Sequence, residues 1–339
     1  MPTSQTPEEI GLAFHAAQAR RARLTANEIQ RLWGRLDRRD FTASWNNSVG
    51  PRVIRALTAG QLASAAAADE YVDAVVAAEG VEPERVGRVR PQAFAGLAAD
   101  GRSLESLMYL PVILSKVRIA GGLGTEEALM SGLRQALRLS SSEVVQAGRG
   151  AVGTSMTGAR TIQGYVRVVQ PPACSRCIIL AGKEYGWNKG FQRHPKCDCV
   201  HLPTTLIARG STRRGAGGRG FLDPHAYFGT LSRAEQDRVF TAAGARAIRE
   251  GGDINAIVNA RRGMYTTTSG LRATREGTSR RGEFFRSERR RDVAAGRVRP
   301  DIGRSYSLTT ARLLPEEIFE LAGSRDQAIA MLRRFGYMG

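Results

Sequence analysis

Apolar residues recur at helical spacing through most of the first 150 positions, set among charged residues and alanines. Glu8–Leu24 and Asn27–Arg38 form two such segments, with Asn27 placed to cap the second. Val53–Ala78 is longer and alanine-rich, with Ile54, Leu57, Leu62, Tyr71 and Val75 as anchors, and Glu79-Gly80 supplies its stop. Ser103–Ile119 predicts a further helical group interrupted by Pro111, and Glu126–Val145 another, with Gly121, Gly122 and Gly124 between them. Strong period-two alternation is absent before residue 160, so residues 1–155 read as a helical docking domain.

At Thr161 the texture changes. Gly164–Gln170 alternates and is β-branched, which predicts a strand ended by Pro171 and Pro172. A compact cysteine-bearing element follows to Cys199, and residues 156–205 read as a small strand-plus-knuckle unit. Leu231–Ile248 returns to helical periodicity, Asp253–Ala260 is a short apolar turn, and Pro315–Phe335 is an amphipathic helix or helix pair. Glu316, Glu317 and Glu320 near its start and Arg333 and Arg334 near its end match the helix dipole. The expected fold class is α+β: a mostly helical N-terminal domain, a small α+β unit, and a basic C-terminal region over 206–339.

Charge changes the picture more than length does. The 339 residues carry 50 Lys+Arg against 32 Asp+Glu, a net of +18. Only Lys116, Lys183, Lys189 and Lys196 are lysines, so the excess is arginine. It is uneven: +2 over 1–150, +5 over 151–200 and +11 over 201–339. Arg209–Arg219 holds four arginines, four glycines and no acid, and Leu271–Arg299 holds ten arginines and four acids. Such patches attract polyanions through counterion release, or serve as a solvated arginine-rich surface. Arg213, Arg214, Arg219, Arg280, Arg281, Arg289, Arg290 and Arg291 are the expected contacts to phosphate, without base readout. Neither a bilayer-spanning apolar run nor a secretory pattern at Met1–Ile10 is expected, so a membrane is not among the expected partners.

All four cysteines fall within 26 residues, as Cys174-Ser-Arg-Cys177 and Cys197-Asp-Cys199, the second pair preceded by His194-Pro195-Lys196. Zn²⁺ takes four thiolate or imidazole ligands in a tetrahedron. A C-x2-C turn can place two sulfurs on one side. A C-x-C pair in an extended strand shares a face but sits ~6.6 Å apart at Cα, whereas two sulfurs on one zinc lie ~3.8 Å apart, so the backbone must bend there. The candidate ligands are Cys174, Cys177, Cys197 and Cys199, with His194 as the alternative fourth. A closed four-ligand site is structural. Two disulfides, or four thiols packed without metal, are the competing readings.

The string Gly164-Tyr-Val-Arg-Val-Val-Gln-Pro-Pro-Ala-Cys174-Ser-Arg-Cys177-Ile-Ile-Leu-Ala-Gly182, followed by Phe191-Gln-Arg-His194-Pro195-Lys-Cys197-Asp-Cys199, resembles the phage Mu F-like head morphogenesis family. Asp253–Met264, Arg312–Ala322 and Gly336-Tyr337 look like the version in tailed phages of actinobacteria. Motif-level similarity covers roughly 160–339; the helical front is similar only in texture. The resemblance implies a minor capsid protein of the virion. Such proteins sit inside the head near the portal vertex, with the portal protein, the major capsid protein and packaged double-stranded DNA as partners, and serve head assembly and DNA packaging or delivery. It also carries the alternative of a capsid maturation protease. Nothing after residue 203 looks like the toxin domains fused to some relatives.

The enzyme reading has little sequence support. Serine proteolysis needs nucleophile, imidazole and carboxylate in contact. The histidines are His15, His194, His201 and His225, and no G-x-S-x-G elbow occurs. His225 follows Asp223-Pro224, and Cys197 with His194 or His201 would form a cysteine nucleophile only by sacrificing the ligand set. A nuclease would rest on His201 and Asp198 alone. No catalytic residue is assigned.

Overall fold

A computed structural model describes residues 5–188, 199–205, 222–300 and 306–339. His194, Cys197, Asp198, Arg213, Arg214 and Arg219 lie outside the described residues. The chain divides into two compact units, one of residues 1–170 with 182–221, the other of residues 171–181 with 222–339. The fold is mostly helical α+β, with one small antiparallel sheet in each unit.

In the first unit, α1 runs Pro7–Trp33, opened by a capping box in which Glu9 N–H donates to Thr6 Oγ1 (3.2 Å) and Thr6 N–H donates to Glu9 (2.8 Å). It is one helix where the sequence predicts two. Asn27 lies inside it, and no Gly or Pro at 24–27 gives the chain a reason to stop. Helix α2 (Phe41–Ser44) and a π turn lead into α3 (Gly50–Ala66), which Ala67 separates from α4 (Ala68–Ala78). Helix α5 (Leu104–Ala120) passes straight through Pro111 instead of breaking there. One lost backbone bond is outweighed by burial of Leu104, Leu107, Met108 and Val112.

Helix α6 (Thr125–Gly158) has 34 residues, extending well past the expected end at Val145. It packs against α1, α3, α4 and α5, so the unit is built around it. Its glycines and serines are poor helix formers, but they let neighbours approach: a Cβ on Gly132 would lie 2.6 Å from the Pro111 carbonyl oxygen of α5.

Strands β1 (Gly164–Val169), β2 (Glu184–Gly186) and β3 (Cys199–Thr204) form an antiparallel sheet in the order β2-β1-β3. Every residue of β1 is buried. Tyr165, Val166 and Leu202 share a core with Val72, Val75 and Val76 of α4 and Met156 of α6. Polar ties fix β3 to the helices. Glu79 accepts from Thr204 Oγ1 (2.7 Å), Thr205 N–H (2.7 Å) and Thr205 Oγ1 (2.8 Å), and the Tyr71 hydroxyl donates to the His201 carbonyl (2.7 Å).

The second unit begins with α7 (Ser175–Ile178). Helices α8 (Pro224–Thr230), α9 (Arg233–Phe240), α10 (Ala242–Arg249) and α11 (Ile254–Ala260) follow, capped in turn by Asp223, Ser232, Thr241 and Asp253. The expected helix at Leu231–Ile248 is therefore two, turned at Thr241, whose φ of 68° no helix interior permits. Strands β4 (Met264–Thr266), β5 (Arg272–Thr274) and β6 (Arg312–Leu313) form the second sheet, with α12 (Glu283–Ala294) inserted before β6. Helices α13 (Pro315–Leu321) and α14 (Arg325–Arg334) close the chain as a helix pair. Ile178, Phe240, Ile257, Phe284, Ile318, Leu332 and Tyr337 share one core. Arg312 is buried and satisfied, donating to the carbonyls of Phe335 (2.7 Å), Glu276 (2.8 Å) and Gly336 (3.1 Å).

Candidate functional site

The two cysteines of the C-x2-C motif share one turn. Cys174 is the exposed N-cap of α7, and its Sγ accepts the N–H of Cys177 at 3.4 Å. Cys177 is buried one turn on, beside Ile178 and Ile179 of the second core. Cys199 belongs to the first unit. It opens β3, buried opposite Val169, and its carbonyl accepts from Arg149 of α6 at 2.9 Å. Among the described residues, no group of three or more His, Cys, Asp or Glu side chains is placed to hold a metal ion. The α+β class holds in its coarse form, a zinc knuckle is not shown among the described residues, and Cys197 and His194 lie outside them.

The remaining histidines are dispersed. His201 sits on β3 opposite Arg167, its ring 4.3 Å from that of Tyr165. Burial pushes the neighbouring Tyr71 phenol far above its ordinary pKa, so it remains a donor at any working pH. His15, Gln18, Arg149, Cys199, Val200 and His201 line a cavity of about 20 Å³, room for a single water rather than a substrate. His225 is exposed on α8, and Asp223 beside it is committed to capping, accepting the Ala226 N–H at 2.7 Å. Asp223 therefore orients a helix rather than an imidazole.

Among the described residues, the expected phosphate contacts on α12 do not share one face. Arg280 and Arg281 are exposed ahead of α12. Within α12, successive residues point about 100° apart, and Arg289, Arg290 and Arg291 diverge accordingly. Arg289 donates to the Pro300 carbonyl (2.9 Å), and Arg290 pairs with Glu283 (3.2 Å). Arg291 pairs with Glu288 (3.1 Å) on the side of α12 that turns toward α14. There it meets two arginines that the sequence reading assigned only to the helix dipole. Arg334 approaches the same Glu288 at 3.6 Å, and Arg333 is exposed beside it. The missed signal lay in α14 itself: Gln327, Ala330, Met331 and Arg334 follow i, i+3, i+4, i+7 and so form one face.

Among the described residues, no helix is long and apolar enough to cross a membrane. No family model, no curated protein and no solved structure matches this chain.

Proposed function

We propose that the chain is a non-enzymatic minor capsid protein of a tailed-phage head, located inside the particle near the portal. In this reading the helical unit docks on the portal protein or the major capsid protein, and the basic region contacts packaged double-stranded DNA. The observation that carries the reading is the ordered motif from Gly164 through Cys174 and Cys177 to Cys199. Its local setting supports it: a strand, a sulfur-bearing turn and a second strand pairing back onto the first in full register.

The docking role draws on α5. Apolar side chains left exposed together on one surface mark a contact site. Here Ile113 and Val117 are 42% and 60% exposed, one helical turn apart, and Met130 of α6 is 49% exposed. Solvated apolar residues at that spacing suit a partner helix.

A structural Zn²⁺ belongs to the proposal, held by Cys174, Cys177, Cys197 and Cys199, with His194 as the alternative fourth ligand. The donor chemistry fits. The Cys177 N–H donates to Cys174 Sγ, and a C-x2-C spacing on one turn is the kind that supplies two ligands to a tetrahedral ion. When bound, the ion would supply folding free energy rather than catalysis.

Two measurements test the proposal. A density map of the head of a phage encoding this chain should place it on the interior side of the portal vertex; a location on the tail or outer shell overturns the reading. Elemental analysis of the purified chain should find about one zinc per chain, as a single four-ligand site requires. No zinc, with four thiols titrating freely, removes the knuckle and leaves the docking role to the map.

A further inference from the structure

We infer that the open groove between α12 and α14 seats the sugar-phosphate backbone of nucleic acid, with Arg291, Arg333 and Arg334 as its phosphate ligands. The inference rests on the DNA-binding reading above and locates the contact within the second unit. The groove is lined by Arg291, Gln327, Ala330, Met331, Arg333 and Arg334, and no carboxylate lines it.

Beneath it lies Glu288, which is 4% exposed and pairs with Arg291 and Arg334 from the buried side. A guanidinium carries five N–H donors in a fixed fork. Arg291 donates to Glu288 through one nitrogen at 3.1 Å, which leaves its remaining donors for a ligand, and Arg334 stands 3.6 Å from the same carboxylate. Such anchoring lowers the side-chain entropy lost when phosphate arrives. Arg333 has no acidic partner within 4.0 Å among the described residues and is solvent-exposed. Arg333 and Arg334 alone would be explained by the C-terminal end of the α14 dipole. That explanation does not bring Arg291 to the same place from a different helix.

The shape selects the ligand class. The groove is open to solvent rather than enclosed, so it suits a polymer lying across it rather than a buried small molecule. Its floor offers Ala330 and Met331 and no aromatic ring, so it has no platform on which a base would stack. Contact is therefore to phosphate and indifferent to sequence.

The test uses the full chain and a random-sequence DNA duplex, with affinity followed across a salt series by fluorescence anisotropy. Each phosphate contact contributes about 0.9 to the slope of log affinity against log salt. The Arg333→Gln/Arg334→Gln variant should flatten that slope by about 1.8 and weaken binding at low salt by roughly tenfold or more. Arg333→Gln alone, which disturbs no ion pair, should flatten it by about 0.9 with unchanged circular dichroism. Arg238→Gln, an equal charge change on α9 outside the groove, should leave the slope as it is.

If both groove variants keep the original slope while Arg213→Gln/Arg214→Gln/Arg219→Gln flattens it, the groove assignment falls and the DNA reading stands. If the intact chain shows no salt-dependent duplex binding, both fall. If poly-glutamate competes as strongly as DNA, the groove belongs to an acidic protein segment and the inference is overturned.

Discussion

One substitution, made twice in the same helix, should act with opposite sign. Gly132→Ala places a Cβ on α6 at 2.2 Å from Ser115 Oγ, 2.6 Å from the Pro111 carbonyl oxygen and 2.8 Å from Trp33 Cζ2. Ser115 has nowhere easy to go, since it is buried and donates to that same Pro111 carbonyl at 3.1 Å. The Pro111 oxygen is backbone, so α5 itself must retreat. Overpacking of this kind costs about 1–3 kcal/mol, against a helix-propensity gain of about 1 kcal/mol for Gly→Ala. With backbone among the clashing atoms the upper part of that range applies, and the net is a loss of about 1–2 kcal/mol. Gly153→Ala lies in the same helix, where an added Cβ meets nothing within 4 Å. It keeps only the propensity term and should gain about 0.5–1 kcal/mol. Urea denaturation followed by circular dichroism at 222 nm reads both, taking the transition of the first unit, because two units need not unfold together. The expected gap between the variants is about 1.5–3 kcal/mol. Two variants equally stabilised would mean that α5 and α6 are not packed this closely at Pro111, and the close-approach account of the α6 glycines would be wrong.

Glu79→Ala should lower the stability of the first unit by about 2–3 kcal/mol, since charged acceptors are worth more than neutral ones and three donors of Thr204 and Thr205 lose their partner; unchanged amide exchange along β3 would refute it. Glu143 should make the first unit less stable as pH rises. Its folded-state pKa is raised, chiefly by burial, so the folded state holds its proton longer than the unfolded one. Stability therefore falls as pH climbs from the ordinary glutamate value through the folded one, and Glu143→Gln should flatten that dependence in a pH series of urea melts. Ile113→Ser with Val117→Ser should abolish co-purification with the portal or capsid protein while leaving the helical melt within about 1–2 kcal/mol, because Val117 is 60% and Ile113 42% exposed; retained co-purification would move the docking surface off α5. Glu288→Gln should lower the stability of the second unit, because Arg291 and Arg334 lose their buried anionic partner; an unchanged urea melt would show that this carboxylate does not tie α12 to α14.

Local signals were legible where the physics is local. The stops at Glu79-Gly80 and at Pro171-Pro172, the strand at Gly164, and the helix pair at 315–335 follow from turn chemistry, β-branching and amphipathic spacing. The misjudged boundaries are those set by packing. Pro111 and Asn27 carry break and cap signals that an isolated peptide would obey, but α5 and α1 continue because their apolar faces are enclosed on neighbouring helices. The arginine clusters were visible by counting. Their grouping was not, since adjacent arginines on α12 point apart while Arg291 and Arg334, 43 positions distant, reach one carboxylate.

By itself the sequence determined the helical front, the strand that follows it, the spacing of the cysteine pairs and the placing of positive charge near the C-terminus. Each is a property of neighbouring residues or of composition. The tertiary structure decided that residues 171–181, carrying Cys174 and Cys177, pack into the second core while β1 and Cys199 belong to the first. It also decided which arginines meet over Glu288. Those outcomes depend on which buried faces find one another across long stretches of chain, a choice made by the free energy of packing and not written in any local window.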